Sequence, residues 1–292
     1  MDTVTRRNLL AATAAIGTGI ALTSSPSHAQ HEGGVKGPPR GRTARTTRLF
    51  KAPQVYPNAL AVAPEGVWIG QQLREDGKPT PGQPPKTGPE KVWLMDWNGK
   101  LLKSFEHAPC NTSGLAYGDG KVYVLGNHDA ANGAYIFDTN GKLLDRKPMP
   151  LGGGGCHGGQ WYKGKLWLVA NRMNALIRVD PNSWTPEFGI PIYTGTPDTL
   201  RWHDMTFDDQ GHLWLITGND STSPESGRAG LARYDAETGK CLEYVGFAPG
   251  SADPHGLGFH NGKLVSSDAG HHPGWADQAS KDSGWVFSID IA

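Results

Sequence analysis

Residues 203–219 read HDMTFDDQGHLWLITGN: a short run from His203 to Phe207, a turn ending in Gly211, and a second run rich in β-branched and aromatic side chains. Two such runs around a glycine-containing turn make a β-hairpin. The plan recurs four more times, in NALAVAPEGVWIGQQ from Asn58, SGLAYGDGKVYVLGN from Ser113, HGGQWYKGKLWLVAN from His157 and HGLGFHNGKLVSSDAG from His255. The turn glycines Gly66, Gly120, Gly164, Gly211 and Gly262 are spaced 54, 44, 47 and 51 residues apart. After each hairpin comes a third apolar run, and in four copies it closes on an aspartate (Asp96, Asp138, Asp180, Asp235) suited to open a turn, because a short carboxylate bonds the backbone two residues on. No helical period of useful length is present. A repeat of this length with several strands in each copy predicts an all-β fold, a β-propeller.

The last copy stops at Ala292, directly after its third strand, and lacks a fourth. Arg48 to Val55 (RLFKAPQV) is a strand-like run with no repeat of its own. Pairing it with the last copy closes the ring and hides two edges that would otherwise invite aggregation. The expectation is therefore five blades over residues 47–292. Six is the alternative, which needs strands within residues 73–90, a stretch that reads as loop.

The N-terminus opens MDTVTRRNLLAATAAIGTGIALTSSPSHA, with Arg6 and Arg7 ahead of a small-residue apolar stretch, and residues 1–29 read as a twin-arginine export signal. The expected location is periplasmic or secreted, with no membrane insertion, since no later segment has the roughly 18 apolar residues of a span. Residues 30–46, rich in Gly, Pro and Arg, read as a flexible mature N-terminus. Without the signal the chain carries 26 basic residues (28 less Arg6 and Arg7) against 27 acidic ones (28 less Asp2), which argues against nucleic acid as a partner and for a small molecule. The sequence carries no reading of oligomeric state. Cys110 and Cys156 each precede a repeat start, so a disulfide between them and two free thiols are both open readings; Cys241 stands apart.

His157, His203 and His255 occupy one register in successive copies, with Asn58 and Ser113 in the same slot of the first two. A closed ring gathers all five. Three imidazoles with positions left open are the pattern of a catalytic divalent transition metal, zinc first, with iron, manganese or copper as alternatives. The other reading is a hydrogen-bonded polar plug. Leu60, Leu115, Gly159, Met205 and Leu257, two residues further along, are expected to form an apolar floor beneath the ring. Trp68, Trp161, Trp167 and Trp214 are expected to pack between blades.

The second strands end in polar residues on the same face. Asn127, Asn171 and Asn219, with Asn58 and Ser113, are candidate substrate contacts. Asp268 is the candidate general base, and Arg172 a candidate for holding an oxyanion. Long loops at residues 73–90, 220–230 and 270–284 are expected to roof the ring, the last contributing His271 as an acid, a base or a fourth ligand, and Trp275 as a substrate contact.

VANRMNALIRVD (169–180), WHDMTFDDQGHLWLITGND and PHGLGFHNGKLVSSDAG resemble the NHL, SMP-30/gluconolactonase and virginiamycin B lyase-like superfamily of propellers, across residues 47–292. Within it, the Trp-His and Pro-His strand starts resemble those of the peptidyl-hydroxyglycine amidating lyases. That likeness implies His157, His203 and His255 as metal ligands. The chain departs from these relatives in showing five copies where they have six blades, and in lacking the acidic metal triad of the SMP-30 type. The readings kept are a metal-dependent lyase acting on a small oxygenated substrate, a lactonase or esterase, a metal-dependent oxidoreductase, and a non-catalytic ligand- or protein-binding propeller.

Overall fold

A computed structural model describes residues 40–54, 56–73, 88–127, 132–152, 154–191, 202–217, 224, 230–268, 275 and 283–292. Within them the fold is all-β, apart from two single 3-10 turns. The first strand, β1 (Arg40–Lys51), is followed by four-stranded antiparallel units. The first contains β2 (Pro57–Ala63), β3 (Gly66–Gln71), β4 (Glu90–Met95) and β5 (Leu101–His107). The second contains β6 (Thr112–Gly118), β7 (Lys121–Gly126), β8 (Gly133–Asp138) and β9 (Leu143–Lys147). The third contains β10 (Cys156–Tyr162), β11 (Lys165–Ala170), β12 (Ala175–Val179) and β13 (Pro186–Pro191). The rest form one eight-stranded sheet: β14 (Trp202–Phe207), β15 (Leu213–Thr217), β16 (Gly230–Tyr234), β17 (Cys241–Phe247), then β1, β20 (Trp285–Ile291), β19 (Lys263–Asp268) and β18 (Pro254–His260).

β1 is the seam. It pairs antiparallel with β20, from Ala44 opposite Ile291 to Lys51 opposite Trp285, and its first residues pair parallel with β17. The strand therefore starts at Arg40 and not at Arg48. Residues 40–46, expected to be flexible, are held because two sheet edges flank them and both need partners. Arg42 adds an ion pair to Glu243, donating from Nη2 to Oε2 at 2.8 Å.

The core lies between successive sheets. Trp68, Val92 and Phe105 meet Leu115, Val122 and Phe137; Tyr123, Leu125 and Ile136 meet Leu166, Leu168 and Ile177. Trp167 and Leu176 meet Met205 and Leu215, and Trp214 and Ile216 meet Leu257 and Phe287. One more cluster joins Val265 and Val286 back to Leu60, Val67 and Trp93, so the last sheet packs on the first in a propeller-like arrangement. The tryptophans expected between blades stand there, with Trp161 partly buried at its cluster's edge.

The expected apolar floor is not formed. Leu60, Leu115, Met205 and Leu257 are fully buried, but they belong to four different clusters between sheets. Side chains that point to a sheet face pack on the neighbouring sheet. Nor is there a disulfide. Cys110 and Cys156 are free thiols buried on opposite sides of the β6–β9 sheet, and Cys241 is also free.

Candidate functional site

Asn58, Ser113, His157, His203 and His255 each stand second in the innermost strand of their unit. In every case the pairing register with the next strand shifts at that position: between Pro57 and Ala59, Thr112 and Gly114, Cys156 and Gly158, Trp202 and Asp204, and Pro254 and Leu257. A bulge of this kind frees one residue from the ladder and re-aims its side chain. All five are buried. The ring centroids of His157 and His203 are 4.1 Å apart and tilted by 30°, and those of His203 and His255 are 4.1 Å apart, edge to face at 73°. Three histidines separated by about fifty residues in sequence thus become one aromatic stack.

The residue after each slot explains how the strands come so close. It is Ala59, Gly114, Gly158, Asp204 and Gly256 in turn. A Cβ on Gly114 would fall 2.5 Å from Gly158 Cα, and one on Gly256 would fall 2.5 Å from the backbone nitrogen of Leu60. A Cβ on Gly158 would fall 2.3 Å from Asp204 Oδ1. Between β2 and β6, Asn58 Nδ2 donates to the Thr112 carbonyl at 3.2 Å. The one large residue in this ring, Asp204, is fully buried; its Oδ1 accepts from the amides of Gly159 (2.9 Å) and Met205 (2.8 Å), and its Oδ2 from that of Leu257 (3.0 Å). Burial pushes this carboxyl well above the usual range while the three amide donors pull it back.

One further carboxylate faces the stack, and another is buried on the strand next to β18. Asp253 Oδ1 lies 3.6 Å from His255 Nδ1, with both side chains buried. Asp268, the candidate base, ends β19 opposite Pro254 and is fully buried. Ser113 donates to the Asn111 carbonyl at 2.9 Å and accepts from Gln72 Nε2 at 3.2 Å. Asn127 and Asn171 flank Gly155, where an added Cβ would fall 1.5 Å from Asn127 Oδ1 and 3.4 Å from Asn171 Oδ1. Arg172 is exposed in a 3-10 turn (Asn171–Met173), its side chain against Gly154.

Trp275 corrects an expectation. It is buried 5.4 Å from the ring of Phe247, on the outer strand β17, and so packs in the core between sheets and not against the channel. Asn219, His271 and nearly all of the three long loops lie outside the described residues, as do residues 1–39.

The donor set of the histidine stack suits a divalent transition metal. Among the described residues, the set that brings three ligand atoms within 4.8 Å of one another is Glu90, His107 and Cys110, and the stack is not such a set. The Glu90 set could hold a metal by distance, yet its middle is filled. Thr112 Oγ1 lies 2.6 Å from Glu90 Oε2, 3.4 Å from His107 Nε2 and 3.5 Å from Cys110 Sγ. Glu90 also accepts from the amides of Leu73, Cys110 and Thr112. Burial lowers the His107 pKa, against the pull of Glu90, and raises that of the Cys110 thiol. This is a hydrogen-bonded clasp between the first two sheets, and a cation would have to displace its central hydroxyl.

Sequence reading missed Asp204, Asp253 and the clasp. Asp204 had a signal: it alone breaks a row of small residues when the five copies are aligned on their slots. The clasp had none, since Glu90 and Thr112 meet only through the packing of two sheets.

No protein family and no curated protein matches the sequence. Solved structures do. Myxococcus xanthus glutaminyl cyclase aligns with a TM-score of 0.59 at 11% identity, over 86% of this chain and 97% of that one. Virginiamycin B lyase from Staphylococcus aureus aligns at 0.46 and 17% identity, over 85% and 99%. At these identities the likeness concerns the fold, and the neighbours named are enzymes.

Proposed function

We propose that this chain is an exported five-bladed β-propeller enzyme that carries out lyase chemistry on a small oxygenated molecule over His157, His203 and His255. The observation that carries the reading is the buried stack of three imidazoles with the Asp253 carboxylate beside His255. A count of five blades is supported by the core clusters that link each sheet to the next and the last to the first. Export and a periplasmic location rest on Arg6 and Arg7 and the apolar stretch after them. The glutaminyl cyclase shows that a scaffold of this shape supports catalysis in another protein.

Elimination needs a base to take a proton from carbon and an acid to protonate the departing oxygen, as the C–H electron pair becomes the new double bond. Imidazoles suit both tasks near neutral pH, because one can be neutral while its neighbour is protonated. Asp253, 3.6 Å from His255 Nδ1, would orient that ring, and Asp268 would accept or pass the proton. Arg172 at the rim, with Asn127 and Asn171, would orient an anionic group. A divalent metal, zinc before iron, manganese or copper, would be held by the three imidazoles and would polarise a substrate oxygen, and none of these steps runs through it.

Purified protein is to be tested against a panel of small β-substituted carboxylates and amides, following the absorbance of the unsaturated product, with metal content measured in parallel. His203→Ala is expected to slow the reaction by about 100-fold or more, the range of general acid–base catalysis. An unchanged rate in that variant would overturn the assignment. Hydrolysis without an unsaturated product would replace lyase with esterase chemistry.

A further inference from the structure

The three amides bound by Asp204 follow one rule. Gly159 is two residues past His157, Met205 two past His203, and Leu257 two past His255. One carboxylate therefore reads the same register point on three inner strands, β10, β14 and β18. The space it enters exists because Gly158 lacks a side chain. Each bonded amide lies just beyond the shift that frees the adjacent histidine from its ladder.

We propose that Asp204 is the positioning residue of the histidine stack, clamping three strands at equal offset so that His157, His203 and His255 pack ring on ring. The inference rests on these histidines being the working site. A carboxylate suits the role because it only accepts, with enough lone pairs for three donors. A carboxamide of the same shape must turn an N–H toward at least one of the three amides, which breaks that bond and sets two donors face to face.

The test is Asp204→Asn in the full chain, read by long-range ¹H–¹⁵N spectra of the histidine rings alongside thermal unfolding. Ring signals of His157, His203 and His255 are expected to move, while those of His212, in the turn between β14 and β15, and His260, at the far end of β18 against Trp97, stay in place. In the assay for the proposed reaction, kcat should fall with little change in KM. A variant with a lower melting temperature and all five ring signals unmoved would overturn the proposal, since that is the outcome for a merely structural residue. Should the variant not fold, the wild type decides. Couplings across the hydrogen bonds from the amide nitrogens of Gly159, Met205 and Leu257 to the Asp204 carboxyl carbon are expected, and their absence in folded protein overturns the clamp. If the rings move in a protein without lyase activity, the function fails and the clamp stands. If His203→Ala abolishes activity but Asp204→Asn moves nothing, the reverse holds.

Discussion

Glu90 and Asp204 are both buried acids, and a buried carboxylate is costly unless donors surround it. Glu90 takes amides from the loop beyond β3 and from the entry to β6, so it joins two sheets; Asp204 takes amides from three inner strands. Cutting either side chain back to alanine would orphan three amides, at about 1 to 3 kcal/mol for each buried group left unsatisfied. His107 in the Glu90 clasp gives a pH signature. Its burial holds the folded pKa below the ordinary 6.5. Below 6.5 the unfolded chain therefore binds a proton that the folded histidine refuses, and stability present above that value declines as pH falls toward the folded pKa. Melting temperatures measured from about pH 8 to about pH 5 should drop less steeply in His107→Gln than in the wild type. Parallel curves would remove His107 from the account.

Each turn behind a third strand uses the same local device. Asp96, Asp138, Asp180 and Asp235 accept from the backbone amides of Asn98, Asn140, Asn182 and Glu237, two residues on, at 2.9 to 3.0 Å. This was legible in the sequence because an aspartate turn needs nothing beyond its own neighbours. The turn glycines Gly120, Gly164, Gly211 and Gly262 were legible for the same reason, with φ between +66° and +83°. The start of β1 and the five register shifts were not. Both depend on which edges lie alongside, and β1 meets Glu243 and Ile291 far along the chain. A chain truncated to begin after Lys51 leaves β17 and β20 with bare edges. It is expected to elute as self-associated species in size-exclusion chromatography with light scattering. A monomeric, cooperatively unfolding truncated protein would show that the seam is dispensable.

Ring closure decides the chemistry of the cysteines as well as of the histidines. Cys110 and Cys156 lie on either side of one sheet, and desolvation raises the pKa of both thiols. A thiol reagent applied to native protein should therefore modify Cys241 alone, with the other two reacting only after unfolding, and reductant should leave the melting temperature unchanged. Loss of thermal stability on reduction would instead point to a disulfide. By itself, the sequence determined the all-β class, the repeat, the turns and the shared slot of Asn58, Ser113, His157, His203 and His255, because spacing and turn chemistry are local. The tertiary structure alone decided that the histidines stack ring against ring, that Leu60 and Leu257 pack between sheets, that Trp275 lies in the core, and that Asp204 reaches three strands. These outcomes depend on how closely separate strands approach once the ring closes, and that distance is set by glycines on neighbouring copies acting together.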